Sequence, residues 1–535
     1  MKQFFSIIMA FSLCFSGIMA QSLPLIPLPL NLTQGTGEFT FTSETKIVMK
    51  TNSLEVKNAC DFFLEIINRS TSLNIGYGTT STSPVYVELN PQIAHAEGYY
   101  LKVTPKDITI QAQTPTGIFF ALQTLRQLLP PEIESSAAVS GRAWTIPEVA
   151  ISDEPRFAYR GLLLDVTRHF YPISDIKRYI DLMVIYKFNH LQLHLTDDQG
   201  WRIEIKKYPK LHTVGAWRKE TLIGHIDVKP HVYDGIPHGG FYTQEELKEL
   251  VQYAAARHIT IVPEFDMPGH ASAILAAYPE YACIDSVFQV RGDWGIFPNV
   301  LCPREETFTF IENILDEIMN IFPGKYIHIG GDECPREQWQ RSDFCKNLMK
   351  QYNYEHYDQL QTLFMRRISD YIKSCGRYAI GWDEIIDGGA IEGATIMSWR
   401  GEQGGITAAK HGNNVIMTPH RNCYFDYYQW RLRDEEPLAQ GGYLPLSMVY
   451  QYDPVHKELT DSQKQFILGT QANLWTEYIK DFRHVEYMAY PRVCAIAEVA
   501  WTPVDKKSYN NFLIRLREYS KRLEIMNVNF AKHML

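Results

Sequence analysis

Two carboxylates stand side by side at Asp332 and Glu333, directly after Gly330 and Gly331 and the run Tyr326-Ile327-His328-Ile329. The run reads as a short buried strand, so the carboxyls fall where the chain leaves a sheet. In a regular strand adjacent side chains point to opposite faces and could not serve one pocket. The two glycines relax that rule, because glycine reaches backbone angles denied to other residues. Carboxyls crowded together resist joint ionisation, so one is expected to hold a proton while the other is charged. One acid and one base is the minimum equipment for splitting a glycosidic bond. The bland alternative is a surface dipeptide in a chain with 21% charged residues. The pair alone does not decide.

The surrounding elements do more. From Arg160 onward the pattern predicts eight strands, at 160–166, 188–195, 259–266, 326–331, 378–383, 394–399, 414–419 and 467–474, most followed by a helical segment. In the first helix Ile176, Tyr179, Ile180, Met183 and Val184 keep the spacing of one buried face, with Ser174 as the expected cap. Thr243-Gln-Glu-Glu246 reads as a capping box, and Gly376 as a helix stop. Alternating strands and helices predict a (β/α)₈ TIM barrel over 151–505, whose chemistry belongs at the strands' C-terminal ends. Those ends carry Asp165, His194 with Asp197 and Asp198, Asp266 with His270, Asp332-Glu333, Trp382, Trp399 and Trp475-Thr-Glu477. Tyr424 and Asp426 follow the seventh strand.

Each of these has a plainer reading. Trp382, Trp399 and Trp475 could fill the barrel singly, although three Trp at three strand ends fit a box around one sugar ring better. His190-x-Gln-x-His194 could bind a metal, but structural histidines are commoner. Arg160 could pair with Asp165 or Asp198, or its fork of donors could hold sugar hydroxyls.

Residues 21–150 read as a small α/β domain, with strands at Thr45–Met49, Val85–Leu89 and Ile108–Gln111 and helices at Leu54–Asn68 and Thr116–Leu129. Residues 506–535 read as a closing helix packed on the barrel. Lys2, the apolar run Phe4–Phe15 and Ile18-Met19-Ala20 fit an export signal over 1–20, with the bacterial periplasm or the medium as destination. The run is too short for a membrane span. A net charge of −9 without a basic cluster argues against a nucleic-acid partner. Cys283 and Cys302 flank a loop where a disulfide is plausible.

Four motifs carry a resemblance: Arg160-Gly-Leu-Leu-Leu-Asp165-Val-Thr-Arg168-His169-Phe170, His194-Leu-Thr-Asp197-Asp198-Gln-Gly-Trp201, Pro263-Glu-Phe-Asp266-Met-Pro-Gly-His270 and His328-Ile-Gly-Gly-Asp332-Glu333. With Gly381-Trp-Asp-Glu384, Ser398-Trp-Arg400 and Leu474-Trp-Thr-Glu477 they resemble the β-N-acetylhexosaminidases, glycoside hydrolase family 20. The resemblance implies a retaining, substrate-assisted cleavage that releases a terminal GlcNAc or GalNAc. Glu333 would be general acid, then base. Asp332 would receive the substrate's acetamide N–H, and Tyr424 would orient the acetamide oxygen. Trp382, Trp399 and Trp475 would wall the sugar. Arg160 and Glu477, helped by Asp426, would grip the far hydroxyls. Asp197, Asp266, His270 and His194 would form the polar shell behind the acid, although strand parity points to Asp198 rather than Asp197. Cys283–Cys302 matches a disulfide of the family. The implied partner is a carbohydrate ending in N-acetylhexosamine, with no cofactor or metal. Release of a disaccharide and a silent glycan-binding protein remain as alternatives, and oligomeric state stays open.

Overall fold

The structure, a computed structural model, describes residues 23–535. The export segment falls outside the described residues. No helix among them is long and apolar enough to cross a membrane.

The N-terminal unit is a seven-stranded sheet in the order Asn31–Phe41, Trp144–Asp153, Tyr99–Val103, Ile108–Ala112, Ser83–Leu89, Thr45–Met49, Gly76–Tyr77. Its helices are Leu54–Thr71 and Pro115–Leu128. The second is buried on every side from Gly117 to Leu128, which a helix reaches only between two packed layers. Here one layer is the sheet and the other the barrel, where Gln127 Nε2 donates to Ile185 O at 2.8 Å. The edge strand Asn31–Phe41 escaped sequence reading because most of its side chains are exposed, so no alternation survives.

Eight parallel strands close the barrel: β1 (Tyr159–Asp165), β2 (His190–His194), β3 (Thr260–Glu264), β4 (Tyr326–His328), β5 (Tyr378–Trp382), β6 (Thr395–Ser398), β7 (Val415–Met417) and β8 (Ile467–Leu474). β8 pairs back onto β1 from Gly469↔Tyr159 to Leu474↔Leu164. β1 is buried along its whole length, as strands covered on both faces must be.

The first barrel helix, Ile173–Ile185, buries the expected stripe, but Ser174 does not cap it. The helix starts directly after Pro172, which leaves Ser174 inside the first turn rather than before it. The Thr243 capping box is present, with Glu246 N donating to Thr243 Oγ1 at 3.2 Å and Thr243 N to Glu246 at 2.8 Å. The helix Tyr509–Ile525 ties the two units together. Arg522 pairs with Glu134 at 3.1 Å, Arg515 with Glu498 at 2.6 Å, and Arg515 also donates to Leu25 O.

Cys283 and Cys302, the pair expected to form a disulfide, lie together in one buried cluster. A third thiol, Cys345, brings its sulfur within 3.6 Å of Cys283. It arrives on the helix Asp343–Gln351, more than forty positions after Cys302, a proximity that spacing along the chain does not disclose.

Candidate active site

Local backbone geometry turns the chain at the end of β4 so that both acids reach the barrel mouth. Gly330 and Gly331 have φ of +63° and +100°, and Glu333 itself stands at +45°. A Cβ on Gly330 would fall 1.6 Å from Asp266 Oδ1, and one on Gly331 2.3 Å from Ile385 Cγ2. Only glycine fits at either position. The Gly331 N–H donates to Asp266 Oδ1 at 3.1 Å, locking the turn to the end of β3. A left-handed glutamate is a strained residue, and strain of this kind gathers at functional sites.

Asp332 and Glu333 open into a cavity of about 320 Å³ lined by Arg168, Asp197, Trp399, Tyr424, Asp426, Trp475 and Glu477. Behind the acids, His270 places Nε2 3.6 Å from Glu333 Oε2 and 3.9 Å from Asp332 Oδ2. Its Nδ1 lies 3.1 Å from both Asp197 Oδ1 and Asp198 Oδ2. Burial opposes a charge on this ring, but the Asp197 carboxylate outweighs it and holds His270 well above the usual histidine range. His194 is held up in the same way, between Glu264 at 2.8 Å and Asp197 at 2.8 Å. Asp197 is driven well below its ordinary value despite burial, chiefly by the Arg168 guanidinium.

Both aspartates after β2 therefore have a place. Strand parity fails because β2 ends at His194, and Thr196–Asp197 then forms a small ribbon with Gly200–Trp201. Asp197 reaches Arg168 and both histidines, while Asp198 Oδ1 accepts the Ser272 N–H at 2.9 Å.

Arg160 does not reach the site. It is the second residue of β1, at the N-terminal mouth, and is 1% exposed. Its guanidinium forks onto Glu97 of the N-terminal unit at 2.8 and 3.0 Å and donates to Lys187 O and Phe157 O. The pocket arginine is Arg168, eight residues later in the same motif. It lies 2.8 Å from Asp197 and 3.2 Å from Asp165, near Glu477 at 4.0 Å, and over the Trp475 ring at 5.1 Å. The physical reason is polarity: a parallel strand delivers its last residues to the catalytic mouth and its first to the opposite one.

The tryptophans form the walls. Trp475 packs edge-on to His194 and 5.9 Å from Trp382, and Trp399 stacks on Tyr424 at 6.0 Å and 20°. Trp382 Nε1 donates to Glu264 at 3.0 Å and Trp399 Nε1 to Glu384 at 2.9 Å, which fixes both rings. Burial, and then the nearby Asp332, push Glu384 up to about 9. Tyr424 is held as a neutral phenol by burial and by Asp332, so it is a donor. Its loop is pinned by the buried Arg492, which donates to Phe425 O and Tyr427 O.

Three buried carboxylate oxygens facing this pocket have no partner: Asp332 Oδ1, Asp426 Oδ1 and Glu477 Oε2. Buried acceptors are normally satisfied, and all three of these residues line the cavity. Burial, then Asp266, raises Asp332 well above the ordinary carboxylate range. Burial alone dominates for Asp266, which is pushed up to about 7.

His194, Asp197, Asp198, Asp266, His270 and Asp332 also stand close enough in overlapping trios to hold a cation. Their positive charge is already supplied by Arg168 and the two protonated imidazoles. His190 belongs to no such trio; it stacks on Tyr159 at 4.1 Å and burial lowers it to about 3.

Sequence reasoning missed Arg168, Trp294, Ile226, Ile296, Tyr427 and Gln440 in the lining. Arg168 was visible in the motif, and strand polarity would have selected it. Ile226 lies in a long excursion between β2 and β3 that folds over the mouth, and its sequence carries no signal of that contact.

Known proteins bear directly on this pocket. The catalytic domain of glycosyl hydrolase family 20 matches residues 157–504, and domain 2 of that family matches residues 22–154. The chain is 42% identical over 511 residues to a beta-hexosaminidase of Porphyromonas gingivalis, covering 95% of this chain and 64% of that protein. It is 35% identical to a beta-hexosaminidase of Vibrio furnissii, covering 89% of this chain and 76% of that one. Among solved structures, the GH20 exo β-N-acetylglucosaminidase of Vibrio harveyi in complex with N-acetylglucosamine superposes with a TM-score of 0.83 at 32% identity, covering 95% and 78% of the two chains. The GH20 β-N-acetylhexosaminidase of Streptomyces coelicolor A3(2) gives 0.83 at 29% identity, covering 95% and 97%.

Proposed function

Because the chain belongs to glycosyl hydrolase family 20, we propose that it is an exo-acting β-N-acetylhexosaminidase that releases terminal β-linked GlcNAc, and GalNAc, by a retaining, substrate-assisted mechanism. The observation that carries this reading is the trio of partnerless buried acceptors around one small pocket. A 2-acetamido sugar offers one N–H and several hydroxyls, which is the set of donors those oxygens lack.

In the proposed reaction the acetamide N–H donates to Asp332 Oδ1 and the Tyr424 phenol donates to the acetamide oxygen. That oxygen attacks the anomeric carbon from within the sugar. As the C–O bond to the leaving group breaks, Glu333 gives its proton to the departing oxygen. The positive charge of the oxazolinium ring that forms is met by Asp332, which holds the acetamide N–H throughout. Glu333 then takes a proton from water, the water oxygen attacks the anomeric carbon, and the ring reopens. Two inversions leave the configuration retained. No enzyme carboxylate becomes a nucleophile, the exception to the two-carboxylate scheme.

Arg168 and Glu477 grip the hydroxyls at the far end, with Asp426 beside them, and the tryptophans stack on the ring. The grip on the terminal sugar favours a single-sugar product over a disaccharide. The neighbour solved with N-acetylglucosamine supports the same choice. The Lys2 and Phe4–Phe15 segment supports export; a mature N-terminus at Gln21 would establish it, and an intact Met1 in exported protein would end it.

The experiment is nitrophenol release from β-GlcNAc, β-GalNAc and β-glucose glycosides, with and without a thiazoline analogue of the intermediate. The proposal expects turnover of the acetamido sugars only, blocked by the thiazoline. Equal turnover of the glucoside would remove the substrate's acetamide from the mechanism. No turnover with retained thiazoline binding would indicate a glycan-binding protein.

A further inference from the structure

Beneath the sugar pocket the barrel core holds a chain of buried amides, Gln192, Gln471 and Asn473. Gln471 and Asn473 stand two apart on β8, so their side chains share one face. At the far end of the chain lies Glu264. Burial opposes its charge, but His194 and His328 hold it well below the ordinary carboxylate range. An ionised carboxylate only accepts hydrogen bonds, so Gln192 must turn Nε2 towards it, at 2.8 Å. Gln192 Oε1 then accepts from Gln471 Nε2 at 2.7 Å, and Gln471 Oε1 accepts the Tyr159 hydroxyl at 2.9 Å. The same Gln471 Nε2 donates to Asn473 Oδ1 at 2.9 Å. One charge thus fixes the direction of three amides in turn, and the last of them presents Nδ2 on its other side.

That Nδ2 is buried without a partner, a rare state for a buried donor. Asn473 is 0% exposed and does not line the cavity, so the sugar does not reach it. Its neighbour is Tyr424. The two residues are bridged side by side, and the Phe425 N–H donates to Asn473 O at 2.7 Å. Residues bridged in this way turn their side chains to the same face. Tyr424 packs there with Trp382, Met397 and Trp475. Burial and Asp332 keep its phenol neutral, while Trp475 and Asn473 draw its proton affinity back down.

We infer that Asn473 is a positioning residue for the proposed reaction: its Nδ2 donates to the Tyr424 phenol oxygen and so aims the phenol's own proton at the acetamide oxygen. The inference rests on the acetamide-assisted reading of the site. A phenol has one O–H and an oxygen that also accepts. With Asn473 Nδ2 at the accepting side, the O–H has no acceptor in that direction and turns to the pocket. Asn473 cannot reverse the bond, because its only oxygen is already held by Gln471. The amide chain therefore sets the phenol from behind, as Glu264 sets the amides, and the attacking oxygen is held in line without any contact between Asn473 and the sugar.

The test is a double-mutant cycle in the full chain, with Asn473→Ala, Tyr424→Phe and the two together. It is read twice, as kcat/KM for nitrophenol release from the β-GlcNAc glycoside and as N-acetylglucosamine binding by calorimetry. Tyr424→Phe should lose about 10²-fold in kcat/KM, and Asn473→Ala, acting one step removed, about tenfold. In the Tyr424→Phe background Asn473→Ala should cost nothing further, because the group it acts through is gone. Binding should show the same coupling. Gln471 Nε2 keeps Gln192 as its acceptor in the variant, so the melting temperature should stay near that of wild type. Asn473→Leu, which keeps the volume and removes the donor, carries the same cycle should the alanine variant fold poorly. Equal losses in both backgrounds, or wild-type kinetics for Asn473→Ala, would overturn the inference and leave the hexosaminidase reading intact. A wild-type chain that neither turns over the glycoside nor binds N-acetylglucosamine would overturn that reading and the inference with it.

Discussion

His270 Nε2 lies 3.6 Å from Glu333 Oε2, while the same ring's Nδ1 stands 3.1 Å from Asp197. A protonated imidazole thus stands between Glu333, the proposed acid, and a carboxylate that is itself held ionised by Arg168. The chain of charges positions the Glu333 side chain without touching the sugar.

Removing the acid should therefore be severe. Glu333→Gln is expected to lose about 10² to 10⁴ in kcat on glycosides with poor leaving groups, the usual worth of a positioned acid. Thiazoline affinity should change little. Wild-type turnover of chitobiose by this variant would take the acid role away from Glu333. His270→Ala should give a smaller loss and displace the pH profile of kcat/KM, an effect that a purely structural histidine would not produce.

Asp332→Asn separates the acetamide role from general electrostatics. Activity on GlcNAc and GalNAc glycosides should fall steeply, and thiazoline affinity should fall with it, because both depend on the same buried oxygen. If residual β-glucosidase activity dropped by the same factor, Asp332 would not be the acetamide's partner.

The two arginines of one motif should behave oppositely. Arg168→Lys keeps the charge but loses the fork that spans Asp165, Asp197 and Gln199, so kcat/KM should fall at least tenfold. Arg160→Met should leave KM unchanged and lower the melting temperature, since it strands Glu97 in a largely buried setting. Breaking a buried ion pair costs roughly 3 kcal/mol. A changed KM with unchanged stability would reverse the assignment.

Asp266 makes stability depend on pH in an unusual direction. Burial raises its carboxyl from 3.8 to about 7. Between those values the folded chain holds a proton that the unfolded chain has lost, so this group's contribution to stability falls as pH rises through the window. Asp266→Asn keeps an oxygen to accept the Gly331 N–H and removes the titration. The melting temperature of the variant, relative to wild type, should become more favourable between pH 4.5 and pH 8. A constant difference would show that Asp266 is not protonated in the folded state.

Much of the protein was readable from residue order alone. Short apolar strands ending in Gly-Gly-Asp-Glu, Trp-Asp-Glu or Trp-Thr-Glu imply a barrel and its catalytic end, because periodicity and chain polarity are local properties. The acid pair needed no tertiary information, since glycines at 330 and 331 announce the turn that aims it. Which arginine enters the pocket was different. Arg160 and Arg168 share a motif and a residue type, and only the closure of β1 between β8 and β2 sends one to each mouth. Cys345 beside Cys283, and Ile226 over the pocket, were likewise decided by packing. Such contacts join positions far apart along the chain, and no local pattern of side chains encodes the distance between them.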